Sequence, residues 1–257
     1  MDTSATASGR ALSADGVPIA WQRRGSGPPL VIVDPVLMDR TTSVAATLAD
    51  LLAKHHTVYT YDRRGKGESG DGEEYTPNSE VDDLLAVIQV AGGSAALYGF
   101  SSGALLALRT AAQSAVVSRV VALEPPLDSE AGGGERLRQQ LQALIDAGQR
   151  AEAVRLFQRS IGVPEHTAAG MDVSAFEDAA HTIAYDLVLT ETTELEGLAG
   201  IKVPVLVLVS AGSDTRMQQW ARDAVDAISD AELRVLDGDW HGVGDEPLAA
   251  AIEEFLD

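Results

Sequence analysis

Two serines stand between two glycines in Gly99-Phe100-Ser101-Ser102-Gly103. The run before them, Ala95 to Tyr98, is short and apolar like a buried strand. The stretch after them, Ser102 to Ala112, repeats its apolar residues at helical spacing. A G-x-S-x-G sequence at a strand-to-helix turn holds its central serine in strained geometry, with glycines where neighbouring elements crowd the chain. The Ser101 hydroxyl then stands at a helix N-terminus, where backbone N–H groups can stabilise a developing oxyanion. This is the chemistry of a serine nucleophile attacking an acyl carbonyl. It needs a base to take the proton and a carboxylate to orient that base.

Five histidines are available. His241, in Gly238-Asp239-Trp240-His241-Gly242, follows the last predicted strand and comes after the serine in the chain. His55 and His56 precede a strand at the end away from the turn and read as solvated helix-end residues. His166 lies in a polar stretch. His181 shares a helix face with Tyr185 at i, i+4, and that pair faces either a substrate cleft or a buried structural contact. Among the carboxylates, Glu124 ends a predicted strand in Ala122-Leu123-Glu124-Pro125-Pro126, and Asp214 follows one in Ser210-Ala211-Gly212-Ser213-Asp214. Asp214 is also a natural N-cap for a helix from Thr215 onward.

The elements that must position these residues alternate. Strands are predicted at Val17 to Trp21, Leu30 to Val33, Thr57 to Tyr61, Ala95 to Tyr98 and Val117 to Leu123. Helices are predicted over Thr42 to Lys54, after an Asn78 cap as far as Gly92, and over Ser102 to Ala112. The Leu30 to Val33 run is continuously apolar, as a strand buried on both faces is. The pattern then turns purely helical, with Glu135 to Ala147, Ala151 to Ser160 and Phe176 to Leu189. It resumes with strand Val203 to Val209, helix Met217 to Ile228, strand Glu232 to Leu236 and helix Pro247 to Leu256. The expected fold is α/β: a mostly parallel central sheet with helices on both faces, interrupted by an inserted helical segment. The expected division is a core of residues 1–127 and 200–257 and an insertion of 128–199. The glycines at Gly132 to Gly134 make Ser129 to Gly134 the expected hinge of that insertion.

Composition limits the classes of function. The chain has 257 residues, 45% of them hydrophobic, enough for one sizeable domain with an insertion. Its net charge of −20, from 39 acidic and 19 basic residues, argues against nucleic acid and anionic membranes as partners. No apolar run is long enough to span a bilayer, and the first residues lack the order of a signal peptide. The absence of cysteine removes disulfides and thiolate metal sites. The expectation is a cytoplasmic protein acting on a small molecule, with no metal or other cofactor implied; the oligomeric state is open.

At Gly99 to Gly103 the chain resembles the α/β-hydrolase superfamily, in its serine-nucleophile branch with a helical cap. Asp62-Arg63-Arg64-Gly65-Lys66-Gly67-Glu68-Ser69 looks like that family's D-x-R-G-x-G-x-S turn, whose role there is structural. The resemblance implies that the helical segment is a cap, that Ser101 is the nucleophile, and that His241 is the base. It leaves the acid open. Asp214 follows the strand where the acid most often sits, but an ungapped match to the family's strand-then-G-x-x-D pattern puts Ser213 in the acid position. Glu124 ends the preceding strand, where relatives such as haloalkane dehalogenases can carry a glutamate, and it is the preferred candidate.

The resemblance also implies an oxyanion hole from the Ser102 N–H and from Val36, in Asp34-Pro35-Val36-Leu37-Met38. The family's usual His-Gly is replaced there, and Pro35 has no N–H to give. Asp34 is the clearest departure. It either turns away to a basic partner such as Arg40 or is buried, kept protonated and turned towards a polar group of a particular substrate. Substrate-lining residues are accordingly expected at Asp34, His181 and Tyr185. The activity implied is hydrolysis of an ester, lactone or related small acyl compound. A non-hydrolytic cyclase, lyase or acyltransferase on the same scaffold, or a binding protein that keeps the pocket, are the alternatives.

Overall fold

The computed structural model describes residues 6–127 and 134–257. The apolar runs form an eight-stranded sheet. Its strands are β1 (Ala7–Leu12), β2 (Pro18–Gly25), β3 (Pro29–Val33), β4 (Thr57–Tyr61), β5 (Ala95–Phe100), β6 (Val117–Leu123), β7 (Val205–Ser210) and β8 (Ala231–Leu236). They lie in the order β1-β2-β4-β3-β5-β6-β7-β8. From β4 to β8 every pairing is parallel, and β1 and β2 add antiparallel strands at one edge. A two-stranded hairpin, β9 (Gly238–Asp239) and β10 (Gly242–Val243), follows β8.

Successive side chains of a strand point to opposite faces, so a strand apolar at every position serves two cores. Val31 and Val33 of β3 and Leu97 of β5 pack with α2 (Pro77–Val90), α3 (Ser102–Gln113) and α9 (Thr215–Ala227). Leu30 and Ile32 of β3 and Tyr98 of β5 pack with α1 (Ala46–Leu52) and α10 (Asp245–Leu256) on the other face. The described part of the insertion is helical: α4 (Gly134–Asp146), α5 (Arg150–Ser160), α6 (Glu165–Gly170), α7 (Ile183–Thr192) and α8 (Leu195–Leu198). It has a small core of its own, in which Leu141, Phe157 and Ile183 meet Leu37 from the loop after β3. The expected hinge from Ser129 to Gly134 lies outside the described residues, apart from Gly134.

Several local expectations are corrected. Thr76, not Asn78, caps α2: its Oγ1 accepts from the Ser79 N–H at 3.1 Å, and Pro77 takes the first helical position, where a missing N–H costs nothing. The Asn78 side chain instead accepts from Arg109 and Gln113. The predicted helix over Phe176 to Leu189 is broken into two short 3₁₀ turns before α7 begins at Ile183. Asp172 caps the first turn, and the Thr182 hydroxyl donates back to the Ala179 carbonyl, local bonds that compete with a continuous helix. His56 is buried at 6% exposure rather than solvated, and that burial lowers its pKa. β1 has no counterpart among the expected strands, because its residues alternate between half-exposed and exposed over most of its length and carry no apolar run.

Candidate active site

Ser101 sits between β5 and α3 with φ 54° and ψ −125°. The elbow's two glycines are required by space rather than by dihedral angle. A Cβ on Gly99 would lie 2.4 Å from the Gly103 carbonyl oxygen, and one on Gly103 would lie 2.1 Å from that of Val33. The turn is thus clamped between β3 and the first residues of α3, and any side chain at either glycine would force them apart.

Glu124 ends β6 beside it and is 2% exposed. Its Oε1 accepts from the Ser210 N–H at 2.7 Å and from the Ser213 hydroxyl at 2.5 Å. Its Oε2 pairs with Nδ1 of His241, which the hairpin turn between β9 and β10 carries. Ser213 also accepts from the His241 N–H at 3.1 Å, so one hydroxyl ties the carboxylate to the backbone of the imidazole. Asp214 is elsewhere: its Oδ1 accepts from the Met217 N–H at 2.9 Å as the cap of α9. The His241 ring packs against Phe100, with centroids 4.6 Å apart. No hydrogen bond joins it to Ser101 among the described residues, although both line the same space. Such bonds are often long without substrate and tighten only in the reacting complex.

Four non-glycine residues among those described have positive φ: Leu37, Ser101, Glu124 and His241. Three of them are the candidate nucleophile, acid and base. The fourth follows Val36. Side chains rarely adopt this conformation, and its concentration at one place marks a backbone held by its surroundings.

Two adjoining cavities of about 340 and 410 Å³ meet at this point and share Val36, Ser101, Phe157, Ile161, Trp240 and His241 in their walls. Phe157 and Ile161 come from the insertion. The Ser102 N–H, in the first turn of α3, has no intrahelical acceptor. The Val36 N–H makes no hydrogen bond among the described residues. The first cavity is also walled by Asp34 and Tyr98. Asp34 is 2% exposed; its Oδ1 accepts from the Ser43 hydroxyl at 2.6 Å, and its Oδ2 has no partner among the described residues. Burial pushes its pKa up to about 6, against the pull of Ser43, Lys66 and Arg63. Arg40 is not its partner, since it pairs with Asp62 at 2.9 Å and Glu68 at 2.6 Å.

A model of the alpha/beta hydrolase family matches residues 37–254. The chain belongs to that family. Among curated relatives it is similar to the uncharacterized hydrolase YraK of Bacillus subtilis, 26% identical over 215 residues, which cover 80% of this chain and 78% of that one. Among solved structures it is similar to an alpha/beta hydrolase from Sphaerobacter thermophilus, 36% identical, covering 97% of this chain and all of that one, with a TM-score of 0.90. Two more distant structures share the fold. They are the enol-lactonase from Burkholderia xenovorans, at 21% identity and TM-score 0.73, and a thermophilic esterase from Thermogutta terrifontis, at 21% and 0.79. Coverage is 96% of this chain and 99% of that one for the first, and 97% and 98% for the second.

In this hydrolase two expected cleft residues lie elsewhere. His181 Nε2 and the Tyr185 hydroxyl both meet Asp71, at 3.2 Å and 3.0 Å, and neither lines the two cavities. The two rings do lie together, with centroids 6.1 Å apart, but the face they share points to Asp71 and not into the cavities. Sequence reasoning missed a buried ionic group beneath the site. Arg63 forks onto Glu80 at 2.7 and 2.8 Å and reaches Asp186 at 2.7 Å. Lys66 reaches Asp186 at 3.4 Å. Arg63 and Lys66 occupy the two variable positions inside the D-x-R-G-x-G motif, where a cation is not demanded. The available signal was the pairing of these charges with an acidic residue on the following helix.

Proposed function

We propose that this hydrolase cleaves an ester, lactone or related small acyl compound through an acyl-enzyme on Ser101. The observation that carries this reading is the Glu124 carboxylate. It is buried, held by two donors and paired with His241 Nδ1, leaving Nε2 as the nitrogen available to exchange a proton with Ser101. In this reading Ser101 Oγ attacks the carbonyl carbon while His241 takes its proton. The Val36 and Ser102 N–H groups receive the oxyanion, and His241 then protonates the leaving oxygen. A water molecule, activated by the same imidazole, releases the acid and restores the serine. The walls of both cavities are mostly apolar, which favours a small substrate with an apolar body. The esterase and lactonase of the same fold are consistent with that class. Asp34, buried in the wall of the first cavity, would supply a polar contact that discriminates among such substrates.

The test is product analysis with a panel of short-chain esters and lactones. Release of the free acid by the wild type, and none by Ser101→Ala, is the expected result. Conversion to a rearranged or transferred product instead would assign the scaffold to non-hydrolytic chemistry.

A further inference from the structure

The Pro35 carbonyl and the Val36 N–H belong to one peptide group, and the two cations missed in the sequence touch that segment. Lys66 Nζ donates to the Pro35 carbonyl at 3.2 Å. Arg63 donates to the Asp34 carbonyl at 3.4 Å and to the Ser102 hydroxyl at 3.3 Å. Both cations are buried, and both converge on Asp186, which α7 delivers from the insertion. A charge placed on an amide oxygen polarises the peptide and makes its N–H a stronger donor.

We infer that Lys66 is a positioning residue that orients and polarises the Pro35–Val36 peptide as an oxyanion donor, and that Asp186 holds it in place from the insertion. The inference rests on the reading of Ser101 as nucleophile. The groups facing Lys66 are Asp186 on α7, Arg63 after β4, Glu80 on α2 and Asp34 after β3. Burial and the neighbouring Arg63 lower the Lys66 pKa to about 8, while Asp186 and Glu80 act in the opposite sense. The charge on the peptide is therefore present below about pH 8 and lost above it. Removing Asp186 removes an opposing pull, so the loss should move to lower pH.

The experiment needs no known substrate. Phosphonylation of a serine by a fluorophosphonate also builds negative charge on the oxygen in the hole, so its rate reports on the donors. Mass mapping of the wild-type adduct to Ser101 tests the underlying reading separately. Loss of one oxyanion donor costs about 10²–10³-fold, and weakening one through its amide should cost a fraction of that, roughly ten-fold, in Lys66→Met. The wild-type rate should decline near pH 8, and Lys66→Met should lose that decline. In Asp186→Asn the decline should remain but begin at lower pH. Thermal unfolding of each variant separates these effects from loss of the fold. A folded Lys66→Met with the wild-type rate and pH profile would overturn the role of Lys66, and an unmoved decline in Asp186→Asn would overturn that of Asp186. Absence of wild-type labelling would overturn the reading of Ser101 and this inference with it.

Discussion

Two carboxylates compete on paper for one imidazole, and hydrogen bonding separates them. Glu124 spends both oxygens on Ser210, Ser213 and His241, whereas Asp214 caps a helix at the surface. If Glu124 orients the base, Glu124→Gln should lower kcat by roughly 10³–10⁴-fold, the scale seen when a triad acid is made an amide. Asp214→Asn should stay near wild type, because asparagine caps a helix as well as aspartate does. Steady-state kinetics on any ester the enzyme turns over ranks the two, and the reverse ranking would transfer the role to Asp214. Ser213 was legible as the occupant of the usual acid position once the chain was set against the family's pattern, and that resemblance favoured Glu124. That Ser213 itself holds Glu124 and the His241 amide was not legible, because it depends on β6, β7 and the β9–β10 hairpin lying side by side.

At the scale of elements, the site depends on how closely α3 approaches β3. The elbow motif was readable because its glycines answer a local steric demand, and the alternation of strands and helices was readable from apolar runs. The break before α7 was not. The Phe176 to Leu189 stretch has helical spacing, but the Thr182 hydroxyl bonds back to the Ala179 carbonyl in a 3₁₀ turn, and His181 and Tyr185 meet Asp71, a partner more than 100 residues away that spacing does not reveal. The buried cations were hidden for a different reason: Arg63 and Lys66 are ordinary surface types, and although Glu80 lies on the following helix, the Asp186 on which both converge is some 120 residues further along the chain. The steric demand gives a prediction of its own. Gly103→Ala places a methyl 2.1 Å from the Val33 carbonyl oxygen, so the strand and helix must separate. A loss of on the order of 1–3 kcal/mol is expected from such overpacking, measurable by denaturant unfolding. An unchanged midpoint would show that the elbow is looser than its contacts imply.

Across the whole molecule, a chain of charge −20 places many carboxylates in water and buries a few, and Asp34 is one whose Oδ2 has no partner among the described residues. Its pKa rises from 3.8 in the unfolded chain to about 6 on folding, so the native state binds the proton more tightly. Burying it costs nothing below about pH 4, an increasing amount as pH rises through 6, and a constant amount of about 3 kcal/mol above that. Asp34→Asn keeps the acceptor for Ser43 and cannot ionise. It should therefore unfold at a higher temperature than wild type at pH 7.5, with the gain disappearing near pH 4; an equal gain at both pH values would contradict the assignment. The central claim is more direct still, namely that the clamp of β5, β6 and the hairpin makes Ser101 a nucleophile. Its most direct test is the mass of the intact protein after exposure to a fluorophosphonate, followed by peptide mapping. One adduct, on Ser101 and absent from Ser101→Ala, is predicted. An unmodified wild-type protein, or an adduct that persists in Ser101→Ala, would contradict it.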